Sequence, residues 1–333
     1  MTSPSLPPGF GLRPVSLDDA GTLADLVNDC MIAESGEPYT TAAQIRDDLT
    51  TPGRDPATDD ALVVHDDGTP AGYLQLWADI PPYDELSAQV FTAPAYWRRG
   101  ISTFLLRLSV ERAIAKLPLS PPERRVVLQV VRYLDNERAG ELFRAEGFEP
   151  VRIFRDMRIE LDPPPPEPVI PEGIRIRTFD RERDLRPLHG AMIEAFEDHW
   201  GHAFPPLDQF VHLQIDGDGA GFDPSLWLLA TDGDQVVGAA IGKAGTQDPH
   251  MGNVDTLAVR RAWRGRGVGL ALLQAAFVAL REAGFSRANL GVDAESPTGA
   301  TRLYERGGMR VEREFEFWEK ELRPARPSAD GSP

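Results

Sequence analysis

The sequence predicts an α/β protein of two tandem domains, each a mixed, mainly antiparallel sheet flanked by helices. Three observations carry this expectation. The chain has 333 residues, too many for one ordinary domain and comfortable for two. The run Asp162-Pro163-Pro164-Pro165-Pro166-Glu167-Pro168 divides it almost in half; such a run favours extended polyproline geometry and stays out of sheet and helix interiors. The two halves repeat one pattern of elements, with corresponding positions about 161 to 167 residues apart, which is the spacing of duplicated domains rather than solenoid units. The expected boundaries are a first domain over 1–161, a linker over 162–171, a second domain over 172–323 and a disordered tail over 324–333.

The elements follow in order. Gly11-Leu12-Arg13-Pro14 opens the first half and Arg175-Ile176-Arg177-Thr178 the second. Helical patterns come next, near Asp19–Asp29 and over Arg181–Phe196. Two strand-like runs then surround a turn. They are Ala61–His65 and Ala71–Trp77 around Asp66-Asp67-Gly68, and Leu226–Thr231 and Gln235–Gly242 around Asp232-Gly233; both turns have hairpin chemistry. A third strand, Gln89–Thr92 or Val254–Val259, runs into a basic, Gly-containing loop and a long amphipathic helix. A further strand (Arg125–Val131, Arg287–Val292) precedes a short helix that ends at Gly147-Phe148 or Gly308-Met309, where glycine suits a left-handed cap. Alternating strands, Val151–Leu161 and Val311–Leu322, close the halves.

Composition narrows the class. Hydrophobic residues make up 41% of the chain and charges are mixed, an ordinary globular composition. The lone cysteine, Cys30, excludes an intramolecular disulfide and any Cys-based metal cluster; its apolar neighbours Leu23, Leu26 and Val27 make it a small core residue. The first residues lack the basic and apolar stretches of a signal peptide, and no apolar run approaches the ~18 residues of a membrane helix, so a cytoplasmic protein without membrane partners is expected. A formal net charge of −17 repels phosphate backbones and favours a cationic substrate such as an amine over nucleic acid.

The strongest chemical signal is Arg264-Gly265-Arg266-Gly267-Val268-Gly269, between a strand and a helix. Its glycines let consecutive backbone N–H groups turn inward, and with the positive end of the helix they form a site for a pyrophosphate, to which Arg264 and Arg266 add charge. No Gly-Lys-Ser/Thr follows, so the loop is not a Walker motif, and the hairpin-like flanking strands disfavour a dinucleotide-binding crossover.

Here the sequence resembles the GNAT acyltransferase superfamily. The family loop Arg/Gln-x-x-Gly-x-Gly/Ala is matched by Arg264, Gly267 and Gly269, and a second family element, Ala-x-x-Leu-Tyr-x-x-x-Gly-Phe, by Ala300, Leu303, Tyr304, Gly308 and Met309. The resemblance covers about Gly173–Leu322 and, more weakly, Phe10–Leu161. It implies that backbone groups of Leu257, Ala258 and Val259 pair with the pantetheine arm of acetyl-CoA, the co-substrate. It implies that the loop from Arg264 through Gly265, Arg266, Gly267 and Val268 to Gly269 holds the pyrophosphate. An amine then attacks the thioester directly, with Tyr304 as general acid to the departing thiolate. Relatives place an acidic base on the strand before the loop. Asn253 and Asp255 share a face of that strand by alternation, and Asp255 is the first candidate, with His250, His199 and Glu197 as alternatives. Glu197, His199 and Trp200 lie where the family places substrate-contacting helices. A His199/His202 metal pair lacks a third ligand at convincing spacing, and no metal is expected. Ser296-Pro297 stands where relatives often carry an Asn that contacts the cofactor arm, so the resemblance implies Ser296, a shorter residue, as the cofactor contact there.

The first half departs from the same pattern. Trp97, Arg98 and Ser102 stand at the positions of Arg264, Gly265 and Gly269, and Phe143 replaces Tyr304. It is expected to keep the fold without catalysis and to shape the substrate cleft. The reading is an acetyl-CoA-dependent N-acetyltransferase acting on a small-molecule primary amine, as monomer or homodimer. The tandem organisation also resembles mycothiol synthases, which acetylate a cysteinyl amino sugar. The rivals are a non-catalytic acyl-CoA sensor or scaffold and an enzyme that acetylates proteins.

Overall fold

The computed structural model describes residues 5–201, 204–219, 221–245, 248–296 and 298–326. His202, Pro297 and most of the expected tail lie outside them. The first half forms β1 (Phe10–Arg13), α1 (Ala20–Ser35), α2 (Ala42–Thr50), α3 (Pro56–Asp59), β2 (Asp60–His65), β3 (Pro70–Trp77), β4 (Glu85–Thr92), α4 (Ile101–Lys116), β5 (Val126–Tyr133), α5 (Glu137–Ala145) and β6 (Glu149–Glu160). The second half repeats the series as β7 (Ile174–Thr178), α6 (Arg181–Phe196), α7 (Leu207–Val211), β8 (Trp227–Asp232), β9 (Gln235–Ala244), β10 (Met251–Val259), α8 (Val268–Glu282), β11 (Arg287–Asp293), α9 (Ala300–Arg306) and β12 (Arg310–Arg323).

The repeat extends to individual side chains. In the first half the Arg13 guanidinium donates to the Asp19 carboxylate at 2.6 and 2.9 Å, and the Ser16 N–H donates to the same group at 2.8 Å. In the second, Arg177 donates to Asp184, which also accepts the Asp180 N–H at 2.9 Å. Each buried carboxylate thus ties the first strand of its half to the start of the first helix. The hairpins form as expected, with Gly68 (φ 88°) and Gly233 (φ 58°) supplying the left-handed turn residues.

The compact units are not the sequence halves. One comprises residues 1–151, 208–220 and 316–333, and the other 152–207 and 221–315. In the first, the strand order is β1-β2-β3-β4-β5 followed by the C-terminal part of β12. In the second it is the N-terminal part of β12, then β6-β11-β10-β9-β8-β7. The terminal strands have therefore changed places. β6 runs antiparallel to β11, with Phe154–Glu160 opposite Asp293–Arg287. The end of β12 belongs to the first unit, where Trp318 is buried against Phe143 and Glu319 accepts from Arg125 and Gln129. The repeat in the sequence records covalent order, whereas alternation along β6 and β12 suits either partner sheet. A third segment also crosses. Residues 208–220 join the first unit, where Asp47 accepts the Gly219 N–H at 2.7 Å and the Gln209 amide donates to Pro52 O and Asp79 O.

Both units build a core on each sheet face. In the first, α1 buries Leu23, Val27 and Cys30 on one side and α4 buries Ile101 and Leu105 on the other. Burial pushes the Cys30 thiol up to about 12, consistent with an inert core residue. In the second, α8 buries Leu272, Phe277 and Leu280, and α6 buries Leu188 and Met192. No helix among the described residues is long and apolar enough to cross a membrane.

Candidate active site

The second unit places the chemistry at a fork. β10 pairs in parallel with β11 only where Met251, Gly252 and Asn253 face Arg287, Ala288 and Asn289. Beyond that point β10 continues along β9 to Val259 while β11 continues along β6 to Asp293. Leu257, Ala258 and Val259 lie on the diverging part of β10, opposite Ala240, Ala239 and Gly238 of β9. Their other edge is unpaired with β11.

The loop after β10 uses its glycines conformationally. Gly265 (φ 72°) and Gly267 (φ 86°) are left-handed, and Gly267 caps α8 with no side-chain acceptor at its N-terminus. Its carbonyl takes the Ala271 N–H at 3.1 Å, which leaves the N–H groups of Val268 and Gly269 without an intrahelical partner. A Cβ on Gly265 would meet nothing within 4 Å. This is a helix start prepared for an anion.

Arg264 and Arg266 behave differently. Arg264 turns back into the protein: Nε donates to Val259 O at 3.0 Å, Nη2 to Ala195 O at 2.7 Å and Nη1 to Asp198 at 3.1 Å. It braces the loop against β10 and the end of α6. Asp198 also pairs with Arg261, Glu194 with Arg260, and Glu197 with Arg261 at 3.7 Å. Arg266 is exposed and makes no ion pair among the described residues. Glu197, expected from the sequence as a substrate contact, stands in this acidic cluster just after α6, 3.7 Å from Arg261.

α9, the helix that carries Tyr304, packs against α8. Leu303 sits over Gly269, where a Cβ would approach its Cδ1 to 2.9 Å, and Leu273 sits over Gly307, where a Cβ would approach its Cδ2 to 2.6 Å. These reciprocal contacts fix α9 against the first turns of α8. Tyr304 is 7% exposed, and its hydroxyl has no hydrogen-bond partner among the described residues. Burial pushes its pKa up to about 12, so the proton stays on the oxygen. Ser296 lies in the turn before α9, where its hydroxyl bonds Thr298 at 2.9 Å.

Asp255 occupies a bulge. Val254 faces Gly242 and Thr256 faces Ile241, so Asp255 is the extra residue, and the simple alternation expected for Asn253 and Asp255 is interrupted between them. Its exposed carboxylate lies 3.5 Å from Lys243 Nζ and accepts from Thr256 at 3.2 Å. His250 is exposed at the start of β10, where its carbonyl accepts from Ser286 and Arg287. His199 is half-buried, with its ring 4.9 Å from Phe196 and Nδ1 buried without a partner. Burial and the Arg264 charge lower its pKa, opposed by Asp293 and Asp198, so it is neutral near pH 7. Trp200 lies 6.0 Å from Phe154 of β6. Phe154 was invisible as a site residue, because only strand exchange brings it here. No group of three possible metal ligands occurs among the described residues.

The first unit keeps the loop's backbone with other side chains. Gly100 (φ 86°, ψ 3°) matches Gly267 (φ 86°, ψ −5°), and Arg98 (φ 63°) takes the left-handed conformation of Gly265. The Trp97 indole donates to Thr92 O at 2.8 Å, the bond that Arg264 makes to Val259 O. Losing a glycine has thus not changed the fold of this turn. At the position of Gly269, Ser102 bonds Thr92 Oγ1 at 2.9 Å, and Phe143 packs between Phe148 and Trp318.

Comparison with known proteins agrees with this arrangement. The model of the acetyltransferase (GNAT) family matches twice, over residues 22–148 and 189–309. The chain is 33% identical over 250 residues to a mycothiol acetyltransferase of Thermomonospora curvata, covering 75% of this chain and 78% of that one. It is 29% identical over 303 residues to a mycothiol acetyltransferase of Geodermatophilus obscurus, covering 88% and 92%. Among solved structures, a GCN5-related N-acetyltransferase from Sphaerobacter thermophilus superimposes with a TM-score of 0.78 at 34% identity, over 97% of this chain and 98% of that one. A tandem GNAT protein from the clavulanic acid biosynthesis pathway shares the fold, with a TM-score of 0.71 at 19% identity over 95% and 100%. The fork, the glycine loop and the doubled match place the chain in the acetyltransferase (GNAT) family, as a tandem two-domain N-acyltransferase.

Proposed function

We propose that the second unit transfers the acetyl group of acetyl-CoA to a primary amine on a small molecule, by direct attack of the amine on the thioester. One observation carries this reading: Tyr304 is buried, protonated and without a hydrogen-bond partner, on a helix locked against the glycine loop, while its counterpart Phe143 has no proton to give. The uncapped amides at the start of α8 and the exposed Arg266 suit the pyrophosphate. The free edge of β10 at Leu257–Val259 suits the amide groups of the pantetheine arm. The site then needs no nucleophile of its own: the amine nitrogen bonds the carbonyl carbon, the C–S bond breaks, and Tyr304 gives its proton to sulfur. The net charge of −17 favours a cationic acceptor.

A specific acceptor is supported by the relatives named mycothiol acetyltransferases: a cysteinyl amino sugar with a free amine. The test is mass spectrometry of cell extract, and of purified amines, incubated with the protein and isotopically labelled acetyl-CoA. Label on one small amine is expected. Saturable acetyl-CoA binding with no labelled amine would favour a sensor, and label on protein lysines would favour a protein acetyltransferase.

A further inference from the structure

β6 belongs to the first half of the sequence but crosses the second unit beside the fork. Its register on β11 sets Arg158 opposite Asn289, Asp156 opposite Gly291 and Phe154 opposite Asp293. Opposed residues point to the same face, so these six share one side of the sheet. Trp200 at the end of α6 meets Phe154, which identifies that side as the one holding His199 and Trp200. The other side is core: Met157 is fully buried, and Ile159 lies against the turn after α9. Asn289 is the last β11 residue paired with β10, so Gly291 and Asp156 lie just past the opening of the fork.

Most acids around this opening are already engaged. Asp293 is held by Arg152, Asp198 by Arg261 and Arg264, Glu194 by Arg260, Asp255 by Lys243, and Glu312 by Arg158. Asp156 accepts no hydrogen bond and makes no ion pair among the described residues. Across the ladder Gly291 presents no side chain, and a Cβ there would meet only Asp156 Oδ1, at 4.0 Å. A half-buried carboxylate therefore borders open space, with Phe154 and Trp200 as an aromatic wall. Such a wall suits an ammonium group, which is drawn both to a carboxylate and to ring faces.

We propose that Asp156 receives the acceptor's ammonium group and takes its proton, making the first half of the chain a direct contributor to the second unit's reaction. This rests on the acetyltransfer reading above. The protons balance. The ammonium nitrogen loses one proton to Asp156, which passes it to solvent. The lone pair forms the C–N bond, the C–S bond breaks, and sulfur takes a proton from Tyr304. The second nitrogen proton, released as the adduct collapses, replaces the one Tyr304 gave. One proton is released per turnover.

The surroundings make the carboxylate a competent base. Burial pushes its pKa up to about 6, with Glu312 acting in the same direction and Arg313 against it. The charged groups around it are Asp293 held by Arg152, Glu312 held by Arg158, and Arg313, whose charge acts on Asp156; Asn289, Gly291 and Phe154 carry no charge, and His199 is neutral. The ionised form works, so amine turnover should fall as pH drops through about 6.

The test uses the full chain with acetyl-CoA and two probe amines, glucosamine and cysteine amide. The kcat/KM for amine is followed from pH 5 to 9, and acetyl-CoA affinity is measured by calorimetry. Asp156→Asn should lower kcat/KM for amine about 100-fold and remove the acid limb near pH 6, with acetyl-CoA affinity within about twofold. Gly291→Val, which places a branched side chain beside the carboxylate, should raise the amine KM at unchanged acetyl-CoA affinity, and it serves if Asp156→Asn does not fold. A wild-type protein that acetylates amines, with an Asp156→Asn variant equal in rate and pH profile, would overturn this inference alone. A wild-type protein that acetylates neither these probes nor any amine in extract would overturn the functional reading and this inference with it.

Discussion

Leu303 of α9 rests on Gly269 of α8, closely enough that a Cβ at position 269 would stand 2.9 Å from Leu303 Cδ1. The third glycine of the loop motif is therefore a packing residue as well as a source of an N–H group. It sets how closely the helix bearing Tyr304 approaches the helix start. Gly269→Ala should cost about 1–3 kcal/mol through overpacking and lower turnover by displacing Tyr304. Adding Leu303→Ala should recover part of the melting temperature, because it removes the colliding methyl. Thermal melts of the single and double variants check this; a Gly269→Ala variant as stable and active as wild type would contradict it.

Arg264 and Trp97 satisfy equivalent carbonyls, Val259 O at 3.0 Å and Thr92 O at 2.8 Å. Arg264→Ala should lose about 2 kcal/mol, the scale of a charged, partly buried hydrogen-bonding group. Arg264→Trp should lose about half as much, since the indole N–H reproduces one bond. Chemical denaturation of both variants measures the difference, and equal losses would show that the carbonyl bond is not what the position requires.

The Arg13 guanidinium, with the Ser16 N–H and hydroxyl, holds the Asp19 carboxyl near 2, below its usual value near 3.9. A depressed carboxylate contributes stability that is present above the unfolded pKa and lost as pH falls through the folded one. Wild type should therefore lose stability between about pH 4 and pH 2, and Asp19→Asn should be less stable at pH 7 yet flatter across that window. Stability measured against pH for both proteins checks the sign.

Much of this architecture was legible in the sequence because it is local. The hairpin at Asp232-Gly233, the helix at Arg181–Phe196 and the turn at Gly267 follow from short-range pattern and the conformational needs of glycine. α2 was not seen, since Ala42–Thr50 has mixed polarity and its capping box, Thr41 with Gln44, is a weak signal without a strong apolar stripe. The exchange of β6 and β12 was not seen because partner choice is a long-range property that alternation leaves open. The same blindness hid the position of Asp156 opposite Gly291 on β11. The motif also overstated Arg264, whose side chain faces inward to Val259 and Ala195, and it understated Arg98, a non-glycine residue that holds a glycine-like turn. What the spacing did locate was the pairing of the loop with Tyr304.

That pairing is the central claim, and one comparison tests it most directly. Amine-dependent release of CoA thiol is measured at saturating acetyl-CoA for wild type, Tyr304→Phe and Phe143→Tyr, with acetyl-CoA affinity determined for each. The buried phenol is predicted to be the acid. Tyr304→Phe should then turn over at least about tenfold more slowly, at similar acetyl-CoA affinity, while Phe143→Tyr gives no gain. Equal turnover by wild type and Tyr304→Phe would remove Tyr304 from the reaction and contradict the account.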